Sequence, residues 1–314
     1  MNRFHTLLLV IYLAAGGFLE SLAQEVEGQK PKLNNHTFVP VSFMNSGFNN
    51  TSFTLPIGIG STSNFNFSPA LPELDSIDGL NGEILFASLG FKYSQKVQDW
   101  ISFNLELGLT ARLGTNVESI LSQGFNTVIN FEVGSMVKIY QSNKTRLSLS
   151  VVVQNYNANF VDIAGFVKDV INEESDPKIL RQIPALTTGG GLHFAWGIND
   201  LFGVRAESTY IYGETFTRGK SNGFYSIKGG VDINFNERYQ VPLGLAITYT
   251  ITTEPKIVYV DNRSGRMFFG KLAYTGRKDF DIGIEAGAMV LPFQNIEEKP
   301  TILMANLTMS YFFN

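Results

Sequence analysis

From Ile101 to Leu113 the chain alternates without a break. Ile101, Phe103, Leu105, Leu107, Leu109, Ala111 and Leu113 share one parity; Ser102, Asn104, Glu106, Gly108, Thr110 and Arg112 share the other. A period of two sustained this long is a strand with one apolar and one polar face. At about 3.3 Å per residue it spans roughly 40 Å, enough to cross a bilayer when tilted. Strands of soluble sheets average about half that length.

The same alternation returns along the chain. It runs through Leu147–Val153, Leu192–Trp196, Phe202–Tyr212, Tyr225–Phe235, Leu243–Ile251, Ile282–Val290 and Leu303–Phe313. The connections alternate in length. Short ones fall near 96–100, 141–145, 198–200, 236–241 and 276–279, and longer ones near 61–82, 114–126, 160–184, 214–222, 253–264 and 292–300. Counting back from the last strand predicts twelve, with the first over 52–61. A membrane-spanning sheet must close on itself, because an open edge would leave backbone groups unpaired in lipid. The expected fold is therefore all-β, an antiparallel transmembrane β-barrel of twelve strands with short helices in its external loops. Only 17% of the residues are charged, against about 25% in ordinary soluble domains, which fits a surface that largely faces lipid. The competing architecture, a secreted sandwich, would need shorter strands.

The N-terminus has the pattern of an export signal. Arg3 precedes the apolar run Leu7–Ala15, too short to span a bilayer as a helix, and Ser21 and Ala23 suit a cleavage site. The expected division is 1–24 signal peptide, 25–51 periplasmic segment or small plug, and 52–314 barrel. The 28 acidic residues outnumber the 24 basic ones, which argues against a nucleic-acid partner. No residue is cysteine, so neither disulfides nor lipid acylation of a cysteine are available.

The chain finishes Tyr311-Phe312-Phe313-Asn314 after an alternating strand. This resembles the C-terminal aromatic signature of Gram-negative outer-membrane barrels, with Asn314 one residue beyond the usual terminal aromatic. The resemblance is to a structural class, of Bacteroidota-like character, and extends over most of the mature chain. It implies a bacterial outer-membrane location, lipid contact and insertion by the barrel-assembly machinery.

If the apolar parity faces lipid, Lys92, Glu106, Arg112, Glu132, Lys138, Arg205, Glu207, Lys228, Asp232, Lys271, Asp281 and Glu285 face the lumen: six basic and six acidic. Same-strand neighbours, Arg205 with Glu207, suggest ion pairs, as do Lys228 and Asp232. Arg112 and Lys138 are the expected partners of Glu106 and Glu132. A balanced set suits either a weakly selective polar pore or a closed, ion-paired interior. Two external segments read as helical. Val117–Gln123 follows a capping Asn116, and Phe160–Asn172 carries an apolar stripe of Phe160, Ile163, Val167 and Val170 that suits a lid over the mouth. Such a lid resembles the arrangement in channels for fatty acids and hydrocarbons, and implies an apolar solute.

The sequence offers little chemistry. His193, within Gly189-Gly190-Gly191-Leu192-His193, is a candidate polar contact in the lumen; no local Ser/His motif accompanies it. No metal-ligand spacing and no cofactor motif is present. The expectation is a non-enzymatic channel or transporter for small, partly hydrophobic solutes. The alternative is a non-transporting envelope scaffold or surface-complex barrel with a closed interior. A membrane-embedded hydrolase is a third reading, in which His193→Ala would abolish turnover.

Overall fold

The alternating segments become twelve antiparallel strands: β1 (Thr51–Ser63), β2 (Ile84–Gln98), β3 (Ile101–Leu113), β4 (Gly124–Gln141), β5 (Thr145–Val161), β6 (Leu180–Gly197), β7 (Phe202–Glu214), β8 (Ser221–Asn234), β9 (Leu243–Thr252), β10 (Gly265–Tyr274), β11 (Phe280–Val290) and β12 (Thr301–Phe313). Each pairs with its sequence neighbours, and β12 pairs with β1 to close the barrel. The computed structural model describes residues 29–63, 66–67, 80–81, 84–113, 124–161, 163–173, 176–214, 221–253, 265–290 and 301–313. The expected helix over 117–123 lies outside these residues. Among them, no helix is long and apolar enough to cross a membrane.

The two faces of the wall separate as the parity requires. Ile59, Ile227 and Ile284 are 65%, 58% and 63% exposed, and Phe103, Leu272 and Leu303 stand out beside them. A soluble barrel would bury such a face; here it is the outer surface, suited to hydrocarbon. Trp100, Tyr140, Trp196, Tyr210, Tyr225 and Tyr274 are also exposed outside, and aromatic side chains of this kind favour the membrane–water boundary.

The interior is mostly polar. The short segment before β1 supplies a large share of the buried apolar side chains: Leu33, Phe38, Val39, Val41, Met44 and Phe48. This segment begins with a two-residue hairpin pairing Lys32–Leu33 with His36–Thr37. Its turn residues Asn34 and Asn35 have φ of 51° and 64°, the left-handed pair that a tight hairpin needs and asparagine tolerates. The chain then crosses the lumen and runs into β1.

Three details differ from the sequence reading. Phe160, assigned to a lid helix, is paired in β5 opposite Phe125 and Arg181. Hydrogen bonding to both neighbouring strands continues through Val161, and the helix, α1 (Ile163–Ile171), starts after it. The short connection after β8 holds a one-turn helix, α2 (Asn236–Tyr239). Most consequential, the same-strand charge pairs are replaced by cross-strand ones: Arg205 binds Asp232, and Lys228 binds Glu207. Residues two apart on a strand are about 6.6 Å apart, whereas side chains facing across a ladder approach to about 5 Å.

Candidate functional site: a plugged lumen with two cavities

The segment 30–49 closes the end of the barrel that carries the short turns. At this end Lys30 donates to Lys278 O and its ammonium to Thr275 O. Asn34 reaches Asn143 O, Gly197 O and Ile198 O. Lys32 and Thr37 both bind Glu237. Three of the short connections thus give main-chain carbonyls to the segment, and a fourth gives the Glu237 carboxylate.

Deeper in, the segment is held by the charged residues of β7 to β11. Arg205 grips Asp232 with two bonds of 2.9 Å, and both side chains are almost fully buried. Asp232 accepts from Val39 N–H at 3.1 Å, while Arg205 donates to Val39 O at 2.9 Å. Lys271 bridges Asp281 and Pro40 O. Glu285 accepts from the Ser42 N–H at 3.0 Å and from its hydroxyl. Glu207 accepts from Asn45 N–H at 2.9 Å and pairs with Lys228. Two arginines also lie over plug aromatics: Arg205 is 5.9 Å from the Phe38 ring and Arg146 is 5.2 Å from Phe48. Phe43 stacks on Phe269 at 3.9 Å. Hydrogen bonds to charged groups contribute about 1.5–3 kcal/mol each, so this half of the lumen is a latch.

Arg146, absent from the expected lumen charges, is the anchor on the other flank. It donates to Gly47 O at 2.9 Å, to Gln141 and to Asn49, and Ser148 adds a bond to Gly47 O. Gly47 has φ +72°, and a Cβ there would meet His193. The signal for Arg146 was present: it shares the parity of Ser148 and Ser150, opposite to Leu147 and Leu149.

Burial shifts the titration of two plug residues. His36 is enclosed against Gly203 and Phe38, which pushes its pKa down to about 4, although the carbonyl of Asp200 opposes the shift. Lys30 is lowered to about 8 by burial, with Asp281 opposing.

On the side of β1 to β5 the lumen stays open. Lys92, Glu106 and Glu132 stand in one row across β2, β3 and β4. Lys92 pairs with Glu106 at 2.8 Å and donates to Ser42 O. Glu132 accepts from Gln154 at 2.6 Å, and Thr187 extends the row onto β6. Glu106 and Glu132 therefore take partners other than Arg112 and Lys138. Arg112 is half-buried nearer the long loops, and Lys138 lies near the short turn beside a bulge in β4.

Above the plug lies a cavity of about 420 Å³. Phe43, Met44, Tyr156, Ile211, Phe224 and Met267 supply its apolar surface, and Lys92, Glu106, Glu132, Glu207, Glu214 and Lys228 its charges. A second cavity of about 110 Å³ lies beside the plug, lined by Phe38, Asn50, Ser52, Tyr93, Ser94, Asn104 and Phe312. Met44, Asn45, Lys92, Glu106, Glu132, Ser150 and Val152 form the wall common to both. Of α1, Val167 is half-buried, Val170 and Ile171 are exposed, and none of these three lines either cavity. His193 is almost fully buried under the first cavity, with Nε2 2.8 Å from Ser150 Oγ.

Solved structures carry the same architecture. An outer-membrane channel from Pseudomonas putida F1 matches with a TM-score of 0.50 at 12% identity, over 84% of this chain and 96% of that one. The fold is an outer-membrane β-barrel. The NanC porin (TM-score 0.48, 10% identity, 82% of this chain and 98% of that chain) is also similar. So is the translocator domain of the autotransporter NalP from Neisseria meningitidis (TM-score 0.47, 6% identity, 84% and 88%). At such identities the likeness is one of fold alone. No family model and no curated protein matches the sequence.

Proposed function

We propose that the protein is exported to the bacterial outer membrane and acts there as a passive channel for small, partly apolar solutes. They enter from the long-loop side and pass the plug along the β2–β5 wall. The observation that carries this reading is the common wall of the two cavities. Space lies on both sides of the plug tip, and the same residues line both spaces. The apolar surface of the upper cavity supports a solute with a hydrophobic part, and the mixed charges at its floor argue against strong selection of one ion sign. Between the two cavities Lys92 donates to the Ser42 carbonyl, so a passing solute has to part or skirt this contact. Conduction of this kind needs no chemical step.

A second reading is a closed scaffold barrel, supported by the buried ion pairs of β7–β11 that hold the plug. Planar-bilayer recording separates the two. The channel reading expects small discrete conductance steps from the purified barrel and solute uptake by liposomes that contain it. A silent bilayer together with no uptake would leave the scaffold.

A further inference from the structure

Three neighbouring strands bring a serine, a histidine and a carboxylate into line on the lumen wall. His193 on β6 is the direct cross-strand partner of Glu207 on β7. Ser150 on β5 stands opposite Gly191, two residues from His193. That glycine makes the approach feasible. A Cβ on Gly191 would sit 3.0 Å from Ser150 Oγ and 3.2 Å from His193 Nε2, in the gap the two side chains share. Without it, Ser150 Oγ lies 2.8 Å from Nε2, and Glu207 Oε2 lies 3.8 Å from Nδ1.

The carboxylate fixes which nitrogen holds the proton. Glu207 is itself anchored, with Oε1 on Lys228 and Oε2 on the Asn45 N–H, each at 2.9 Å. Among the described residues Nδ1 has no hydrogen-bond acceptor within reach. A lone pair on Nδ1 would face the carboxylate and be repelled; an Nδ1–H is attracted. With the proton on Nδ1, Nε2 presents its lone pair to the Ser150 hydroxyl. This is the proton arrangement that a serine nucleophile needs. Ser150 also belongs to the wall of both cavities, so a solute in the lumen meets it.

We propose that Ser150, His193 and Glu207 form an acyl-transfer triad that hydrolyses small esters entering the upper cavity. Ser150 Oγ bonds to the ester carbonyl carbon while its proton passes to Nε2. The carbon–oxygen bond to the alcohol then breaks, and the alcohol leaves with that proton. Water repeats the sequence on the acyl-serine: its oxygen bonds to the carbonyl carbon, a proton passes through Nε2 to Oγ, and the acid is released. With the Asn45 N–H committed to Glu207, the Asn45 side-chain amide and the remaining ammonium protons of Lys228, residues that line the same cavity, are the donors available to the carbonyl oxygen. Ser150 and His193 touch the reacting atoms; Glu207 is a positioning residue. The apolar surface around Phe43, Ile211 and Phe224 suits a short acyl chain. The activity goes beyond solute passage and does not depend on it.

The test uses the mature barrel folded in detergent, its fold checked by the shift of the unboiled band on an SDS gel. The expected result is covalent labelling of Ser150 by a fluorophosphonate, located by mass spectrometry in the unmutated protein, and turnover of p-nitrophenyl butyrate. Ser150→Ala and His193→Ala should lower kcat by at least about a hundredfold, while Glu207→Gln should lower kcat with KM kept. A folded barrel that is not labelled at Ser150, or that hydrolyses the ester no faster than its heat-denatured control, would overturn the proposal. So would a folded Ser150→Ala variant with an unchanged rate.

Discussion

The two halves of the lumen wall use similar residues for opposite ends. On β7–β11 the inward charges are buried and are paired across strands, bonded to the plug backbone, or both: Arg205, Asp232, Lys271, Asp281 and Glu285 are each at most 3% exposed. On β2–β4 the row of Lys92, Glu106 and Glu132 is only half-buried and lines a cavity, and its hydrogen bond to the plug is the one from Lys92 to the Ser42 carbonyl. Exposure along the strands follows the same contrast. β9 alternates strictly between exposed and buried, whereas the inward side of β3 is mostly intermediate. Charge alone thus does not tell a pore wall from a latch. What matters is whether a main chain lies against it to accept and donate.

That contrast predicts unequal costs. Asp232→Ala should leave the buried Arg205 without its partner and destabilise the barrel by about 3–5 kcal/mol. Glu106→Ala, on the half-buried row, should cost less than about 1 kcal/mol. Urea unfolding of the detergent-folded barrel, followed by the gel shift, measures both. Equal costs would erase the distinction between the halves.

The next effect is on pH. His36 is held neutral, with its pKa near 4 when the plug is seated and about 6.5 when it is free in water. The free form therefore binds more protons between these values, so the plug's stability is complete above pH 6.5 and falls as pH drops toward 4. The full loss is up to about 3 kcal/mol. Hydrogen exchange of residues 36–48 should speed up as pH falls through that window, after correction for intrinsic rates, and His36→Phe should remove the dependence.

Glycines sharpen the comparison further. A Cβ on Gly197 would lie 2.1 Å from Leu33 O, inside the latch, whereas a Cβ on Gly270 would meet nothing within 4 Å. Gly197→Ala should loosen the plug by about 1–3 kcal/mol, read as faster proteolysis of the N-terminal segment. Gly270→Ala should change stability by no more than about 0.5 kcal/mol. On the open side, Lys92→Ala removes a positive charge from the wall common to the two cavities. It should raise single-channel conductance up to about twofold and shift the reversal potential toward cations, an effect that fades at high salt.

Much of the barrel was legible in the sequence because each strand writes its two faces in its own parity. Ile101–Leu113 announces its orientation with no knowledge of its neighbours. Residues 30–49 carry no such period. Their conformation is dictated by Asp232, Glu285 and Arg146, on strands roughly a hundred or more residues away, and no local pattern encodes that. Arg205 with Glu207 looked like a pair because sequence proximity is visible and strand register is not. The register depends on the bulges and turns that offset one strand from the next. Ser150 and His193 were hidden in the same way, 43 positions apart and adjacent only once β5 and β6 are aligned. Phe160 misled because an apolar stripe of helical spacing is also what the end of a long strand can show.

The plug is continuous with β1, and β1 is also the strand that β12 must find to close the ring. A segment laid across the growing sheet before that closure gives Asp232 and Glu285 their main-chain partners, the N–H groups of Val39 and Ser42, as the last strand arrives. A segment that entered after closure would have to thread the end that carries the short turns, past carboxylates still without those partners. Its place in the chain, ahead of every barrel strand, makes it available from the first hairpin onward.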